Sequence, residues 1–158
     1  MMYYSPLFLS EKPKNGRIKI HGGTLFDYYF VIDRKWNGKQ RTNFITQQYL
    51  EGLLALIEEY KNDKHMKIRG TSYIINERTA EKMGFKIMQT DFLQKTILLY
   101  NYFNVLISNS IAKNKLAFPN LNKTKTFEAD ISQILEKKEF IEKLNKSLKN
   151  TIANSMNL

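Results

Sequence analysis

Cysteine is absent from this chain, and proline and glycine are scarce, at three and seven of 158 residues. Without cysteine there can be no disulfide, no thiolate nucleophile and no Cys-based zinc site. So little glycine and proline leaves no material for long flexible linkers, and the length predicts one domain over 1–158. Long hydrophobic runs are missing too. The most apolar stretch, from Ile97 to Ile111, is interrupted by Asn101, Asn104 and Asn109. It falls short of the ~20 apolar residues of a membrane span. The N-terminal Met1-Met2-Tyr3-Tyr4-Ser5-Pro6 lacks a basic region and a cleavage site. The expectation is therefore a cytoplasmic protein with no membrane partner.

What is present is positive charge. Twenty-five basic residues face fifteen acidic ones, for a net charge of +10. Such an excess draws polyanions: nucleic acid, phosphorylated cofactors, acidic proteins or anionic membrane. Lysine supplies twenty of the basic residues and arginine only five. Base readout and bidentate phosphate contacts lean on arginine, so the charge also fits plain solubility. At 42% hydrophobic and 13% aromatic the chain has ample material for a core.

Alternation in Arg17–Ile20, then Gly22-Gly23, then an aromatic and β-branched run over 24–32 predicts a β-hairpin. Asn37-Gly38 reads as a turn. Thr42 or Asn43 can then cap a helix over 44–60, striped by Ile45, Tyr49, Leu53, Leu56, Ile57 and Tyr60. A strand over 66–75 follows. Asn76 caps a short helix, Gly84 ends it, and Phe85–Met88 alternates as a strand. Asp91 and Gln94 have the form of a capping box for a helix over 92–113, and Phe127 to Leu148 is spaced as a third long helix over 127–150. The tail, 151–158, is expected to fray. The fold class is α/β (α+β): a small mixed sheet with an amphipathic helix over 17–88, then an antiparallel helix pair over 92–150. The 92–113 helix is apolar on so wide an arc that it suggests a homodimer contact.

Candidate chemistry is sparse. Asp27, mid-strand between Phe26 and Tyr28, is a catalytic candidate if its face is buried, because a half-buried carboxylate gains basicity. His21 and His65 could act as an acid–base pair only if the fold joined them. No metal-ligand spacing, Walker loop or GxSxG motif occurs. The candidate anion or cofactor ligands are Lys39, Arg41, Lys67, Arg69, Asn76 and Arg78. Lys67 and Arg69, with Tyr73 and Phe85 nearby, also suit a basic nucleic-acid or polyanion-binding module. A protein-interaction domain is a third reading.

One segment is similar to a known family. Asn76-Glu77-Arg78-Thr79-Ala80-Glu81-Lys82-Met83-Gly84-Phe85, after a strand, resembles the core of GNAT-type N-acyltransferases. There an Asn opens a short helix that ends in Gly-Phe before the next strand. The helix over 44–60 occupies the place of the family's pantetheine-side helix, and the resemblance covers about 44–88. It implies an acyltransferase-like domain, intact or degenerate, with acyl-CoA as cofactor. Three departures accompany it. Residues 37–43, Asn-Gly-Lys-Gln-Arg-Thr-Asn, hold one glycine where spaced glycines should cradle pyrophosphate. The interval from Asn76 to Gly84 is about a turn short, and Ala80 stands near the place of the usual tyrosine acid, which leaves Tyr73 as the candidate catalytic proton donor under this resemblance.

Overall fold

A computed structural model describes residues 1–72, 76–89, 95–96, 99–120 and 124–156. The elements in chain order are β1 (Met2–Ser5), β2 (Phe8–Ser10), β3 (Arg17–Gly22), α1 (Leu25–Val31), α2 (Gly38–Glu59), β4 (Lys67–Ser72) and α3 (Glu77–Lys82). Then come β5 (Lys86–Gln89), α4 (Tyr102–Lys113), β6 (Lys125–Asp130), α5 (Ile131–Glu136) and α6 (Lys138–Met156). The fold is mixed α/β: one small mixed sheet, an amphipathic crossing helix and a C-terminal helix pair, α4 and α6. No described helix is long and apolar enough to cross a membrane.

The six strands lie in the order β1-β2-β3-β4-β6-β5. β1, β2 and β3 are antiparallel, and β2 meets β3 through an Asn15-Gly16 turn with both residues at positive φ. Asn-Gly is the favoured pair for such a turn, because its left-handed backbone matches the twist of the strands it joins. β3 and β4 are parallel. A parallel pair needs a crossover, and α2 provides it. β6 inserts between β4 and β5 and runs antiparallel to both.

The alternation of each strand sends Ile18, Ile68, Phe127 and Ala129 to one face of the sheet, where they are buried. α2 lays Leu50, Leu53, Leu56 and Ile57 on them, while α3 contributes Ala80, and α5 and α6 contribute Ile131, Ile134 and Ile141. A second, smaller cluster joins Leu7, Tyr28, Ile32, Ile45 and Ala112, and it ties α1 and α4 to the first half of α2.

Several expectations are corrected. Residues 25–31 are a helix, not a strand. Thr24 caps it: its Oγ1 accepts from Asp27 N–H, and the Asp27 carboxylate accepts from Thr24 N–H at 2.6 Å. That reciprocal pair outweighs the β propensity of the aromatics beside it. The crossing helix starts at Gly38 rather than 44. Asn37 is its cap, accepting from Lys39 and Gln40 N–H, while the Gln40 side chain accepts from Asn37 N–H. Residues 125–130 form β6, because Phe127 and Ala129 point into the sheet core and Asp130 caps the helix after it. The C-terminal helix runs on to Met156, so 151–156 do not fray; Ile152 is buried. The two C-terminal helices each lie against α2, with β6 between them in sequence. Asn76 does cap α3, and Gly84 follows it at a φ of +93°. The Asp91 and Gln94 capping box lies outside the described residues.

Two measurements check this packing. At Gly52 of α2 a Cβ would stand 2.5–2.6 Å from the Cβ and ring of Phe8. Gly52→Val regains about 0.5 kcal/mol of helix propensity, but overpacking costs about 1–3 kcal/mol. The expected outcome is a lower melting temperature. On the surface, Glu58 of α2 receives Lys61 at 2.6 Å and Lys138 of α6 at 2.9 Å. These hydrogen bonds hold its carboxyl at about 2, well below its ordinary 4.5. A depressed carboxyl stabilises the fold above its ordinary value, and that contribution is lost as pH falls from about 4.5 through 2. Acid-unfolding curves of Glu58→Gln should lack that part of the slope.

Candidate functional site

β3 and β4 pair from Arg17↔Lys67 to Ile20↔Gly70 and no further. Both strands continue, β3 to Gly22 and β4 to Ser72, without pairing with each other. The two parallel strands therefore part at their C-terminal ends. A slot of about 60 Å³ opens where they separate. Carboxyl ends of parallel strands are where ligands settle in α/β sheets, because the strands diverge there and the crossing helix stops filling the space.

Ile20, Gly70, Phe127, Ala80, Met83 and Phe85 give the slot an apolar floor, and His21, Tyr49, Thr71 and Ser72 are its polar groups. Glycine is required at 22, since a Cβ there would collide with the Tyr49 hydroxyl. Tyr49 and Tyr28 share a hydroxyl–hydroxyl hydrogen bond of 2.7 Å. Burial raises the Tyr49 phenol above its ordinary value despite that bond, so it stays protonated and can donate.

His21 is the other feature of the rim. Its Nε2 lies 3.0 Å from Glu11 Oε1, and Lys19 Nζ lies 3.9 Å from the same carboxylate. A carboxylate on Nε2–H fixes the tautomer, so the lone pair falls on Nδ1. A carboxylate-oriented imidazole beside a cleft is the usual form of a proton acceptor. In the sequence His21 has weight only as a partner of His65. The parallel strands keep those two apart: His21 is at the C-terminal end of β3, and His65 precedes the opposite end of β4. Glu11 is the partner that sequence reasoning missed. The Asn15-Gly16 turn was the available signal, because a hairpin closed there puts Glu11 and His21 on neighbouring strands.

The expected site residues scatter. Asp27 is no buried strand carboxylate. It is half-buried on the first turn of α1, occupied by Thr24 N–H, the Thr24 hydroxyl at 2.7 Å and the Tyr3 hydroxyl at 3.1 Å. Tyr73 lies outside the described residues. Arg41 is turned inward. Its guanidinium donates to the carbonyls of Trp36 (2.8 Å), Arg34 (2.7 Å) and Ile111 (2.9 Å), and so clamps the loop before α2 to the end of α4. It is 7% exposed and unavailable to an anion. Lys39 is exposed on the same turn.

Asn76 spends its side chain on Thr79 N–H (2.8 Å), and Arg78 is exposed beside it. Asn76 and Arg78 follow the C-terminal end of β4, and none of Lys39, Asn76 and Arg78 lines the slot. Lys67 and Arg69 share the opposite face of β4. Lys67 reaches Glu128 at 3.5 Å, and Arg69 stands opposite Glu128 in the ladder, so this basic face is interleaved with acid.

The first turn of α2 is closed. Asn37 caps it, and the Lys113 carbonyl lies against Gly38, 2.5 Å from where a Cβ would be. The N–H groups that cradle a diphosphate at a helix start are here directed at the protein itself. Among the described residues no group of three His, Asp or Glu could hold a metal ion. Comparison with family models, with curated proteins and with solved structures finds no match for this chain.

Arg41→Met tests the clamp. It leaves three carbonyls without their donor, and losing a buried, hydrogen-bonded charge costs about 3 kcal/mol. Thermal unfolding should show a large loss of stability. In contrast, Lys39→Met on the same turn should leave the melting temperature within experimental scatter.

Proposed function

We propose that this chain is a degenerate acyltransferase-like domain whose slot takes the acyl-thioester end of a pantetheine ligand. The observation that carries the reading is the parting of the parallel pair β3 and β4 beyond Ile20 and Gly70, with the slot between their ends. Parallel, splayed strands are how acyltransferases admit pantetheine. The Asn76-capped helix that ends in Gly84-Phe85 supplies one wall, through Ala80, Met83 and Phe85. The space suits a short acyl group, about the volume of two waters.

In this reading His21, oriented by Glu11, accepts the proton of an incoming nucleophile at the rim. The protonated Tyr49 stands on the inner side of the slot. Its hydroxyl can donate toward the sulfur or oxygen on which negative charge develops. CoA's diphosphate has no seat at α2, because Asn37 and the end of α4 fill that turn. The nucleotide end of the ligand then adds little to binding, which makes the domain degenerate.

Thermal unfolding with acetyl-CoA and with acetyl-pantetheine at millimolar concentration tests this. A ligand at one hundred times its dissociation constant stabilises the native state by about 2.7 kcal/mol. Both compounds should raise the melting temperature by a similar amount. His21→Ala should keep the shift and lose acyl transfer to amine or hydroxyl acceptors. No shift with either compound would sink the proposal, and a shift with acetyl-CoA alone would overturn the closed diphosphate site.

A further inference from the structure

α4 is inside out. Its buried residues are Ser108, Asn109 and Ala112, small or polar. Ile111 packs inward on the second cluster, but two large apolar residues of the helix face away from the protein: Phe103 is 77% exposed and Ile107 43%, and the helical residues Leu99 and Tyr100 just before it are 65% and 91% exposed. Phe103 and Ile107, four apart, share one face of the helix, and Tyr100 stands exposed just before its Asn101 cap. The buried Asn109 is satisfied inside, where its Nδ2 donates to the Ala117 carbonyl at 2.7 Å, and the half-buried Ser110 hydroxyl donates to the Leu106 carbonyl. The inversion is thus a settled packing arrangement, and an exposed apolar patch of this kind marks an interaction site.

Charge says what covers it. From residue 92 to residue 127 the chain contains no Asp or Glu and five Lys: 95, 113, 115, 123 and 125. A second copy would bring this positive segment against itself, and like charges at an interface repel. An anionic surface would be attracted to the lysines and would receive the exposed face. We propose that the face of Phe103 and Ile107, with Tyr100 before it and the exposed Lys113 and Lys115 at the C-terminal end of the helix, docks onto an anionic lipid bilayer, lying in the interface rather than crossing it. Aromatic and aliphatic side chains enter the headgroup boundary, and each nearby lysine adds attraction to anionic lipid. α1, which packs beside α4, exposes Phe26 and Phe30 as well.

Co-sedimentation of the full chain with two kinds of vesicle tests this: phosphatidylcholine alone, and an equimolar mixture of phosphatidylcholine and phosphatidylglycerol. Binding to the mixed vesicles should fall as salt is raised and should be at least tenfold weaker to the neutral ones. Tyr100→Ser with Phe103→Ser should cut binding at least tenfold. Both side chains are largely exposed, so circular dichroism and the melting temperature should not change. Lys113→Gln with Lys115→Gln should weaken binding to the mixed vesicles alone. Equal binding to both vesicles, or binding untouched by the serine pair, overturns the proposal. So does failure to bind at low salt, whether the chain then proves a monomer or a dimer that the serine pair dissociates.

Discussion

Two adjacent parallel strands can be joined only by a crossover, and here the crossover is longer than the strands it joins. β3 and β4 have six residues each, whereas α2 has twenty-two. At about 1.5 Å per helical residue and 3.3 Å per strand residue, the helix outreaches its strands by roughly 13 Å. The part over the sheet buries Leu50, Leu53, Leu56 and Ile57 against the strand core. The surplus at the N-terminal end needs its own cover. α1, the end of α4 and the end of α6 supply it, through Ile45 in the second cluster, Arg41 on three carbonyls, and Gln40 to the Ser155 carbonyl.

That arrangement fixes what chemistry the sheet edge can offer. The first turn of a helix carries unpaired N–H groups and the positive end of the helix dipole, and an anion is one way to satisfy both. This chain satisfies them with Asn37, whose side chain takes the N–H groups of Lys39 and Gln40, while the carbonyl end of α4 crowds against Gly38 and brings a negative helix end to a positive one. Stability and diphosphate binding compete for the same groups, and stability has them. The slot between β3 and β4 is untouched by this competition, because it depends only on the strands diverging past Ile20 and Gly70. His21 and Glu11 meet at its rim for a further reason: the β2–β3 hairpin stands next to the parallel pair.

The same cover explains the odd character of α4. A helix whose inner face must fit against α1 and the first turn of α2 needs small residues there, and Ser108, Asn109 and Ala112 provide them. Its large side chains are then left on the outside. Their exposure follows from close packing, and the absence of acidic residues from 92 to 127 gives that exposure a use.

Local signals in the sequence determined much of this. The stripe of α2 from Ile45 to Ile57, the Asn76 cap, the stop at Gly84 and the alternation of β3, β4 and β5 are written in residues a few positions apart. So is the class, α/β with a mixed sheet. Two elements were misread because one local signal masked another. The aromatics of 25–31 hid the Thr24–Asp27 capping pair, and Phe127 fell at helical spacing from Ile131 and Ile134, so β6 merged into the helix that follows it. The remainder was decided by contacts between distant segments. Arg41 became a clamp because α4 ends beside it, His21 found Glu11 across a hairpin, and the slot exists because a parallel pair splays. A side chain's type fixes what it can bond to, but only the fold fixes what lies within 3 Å of it.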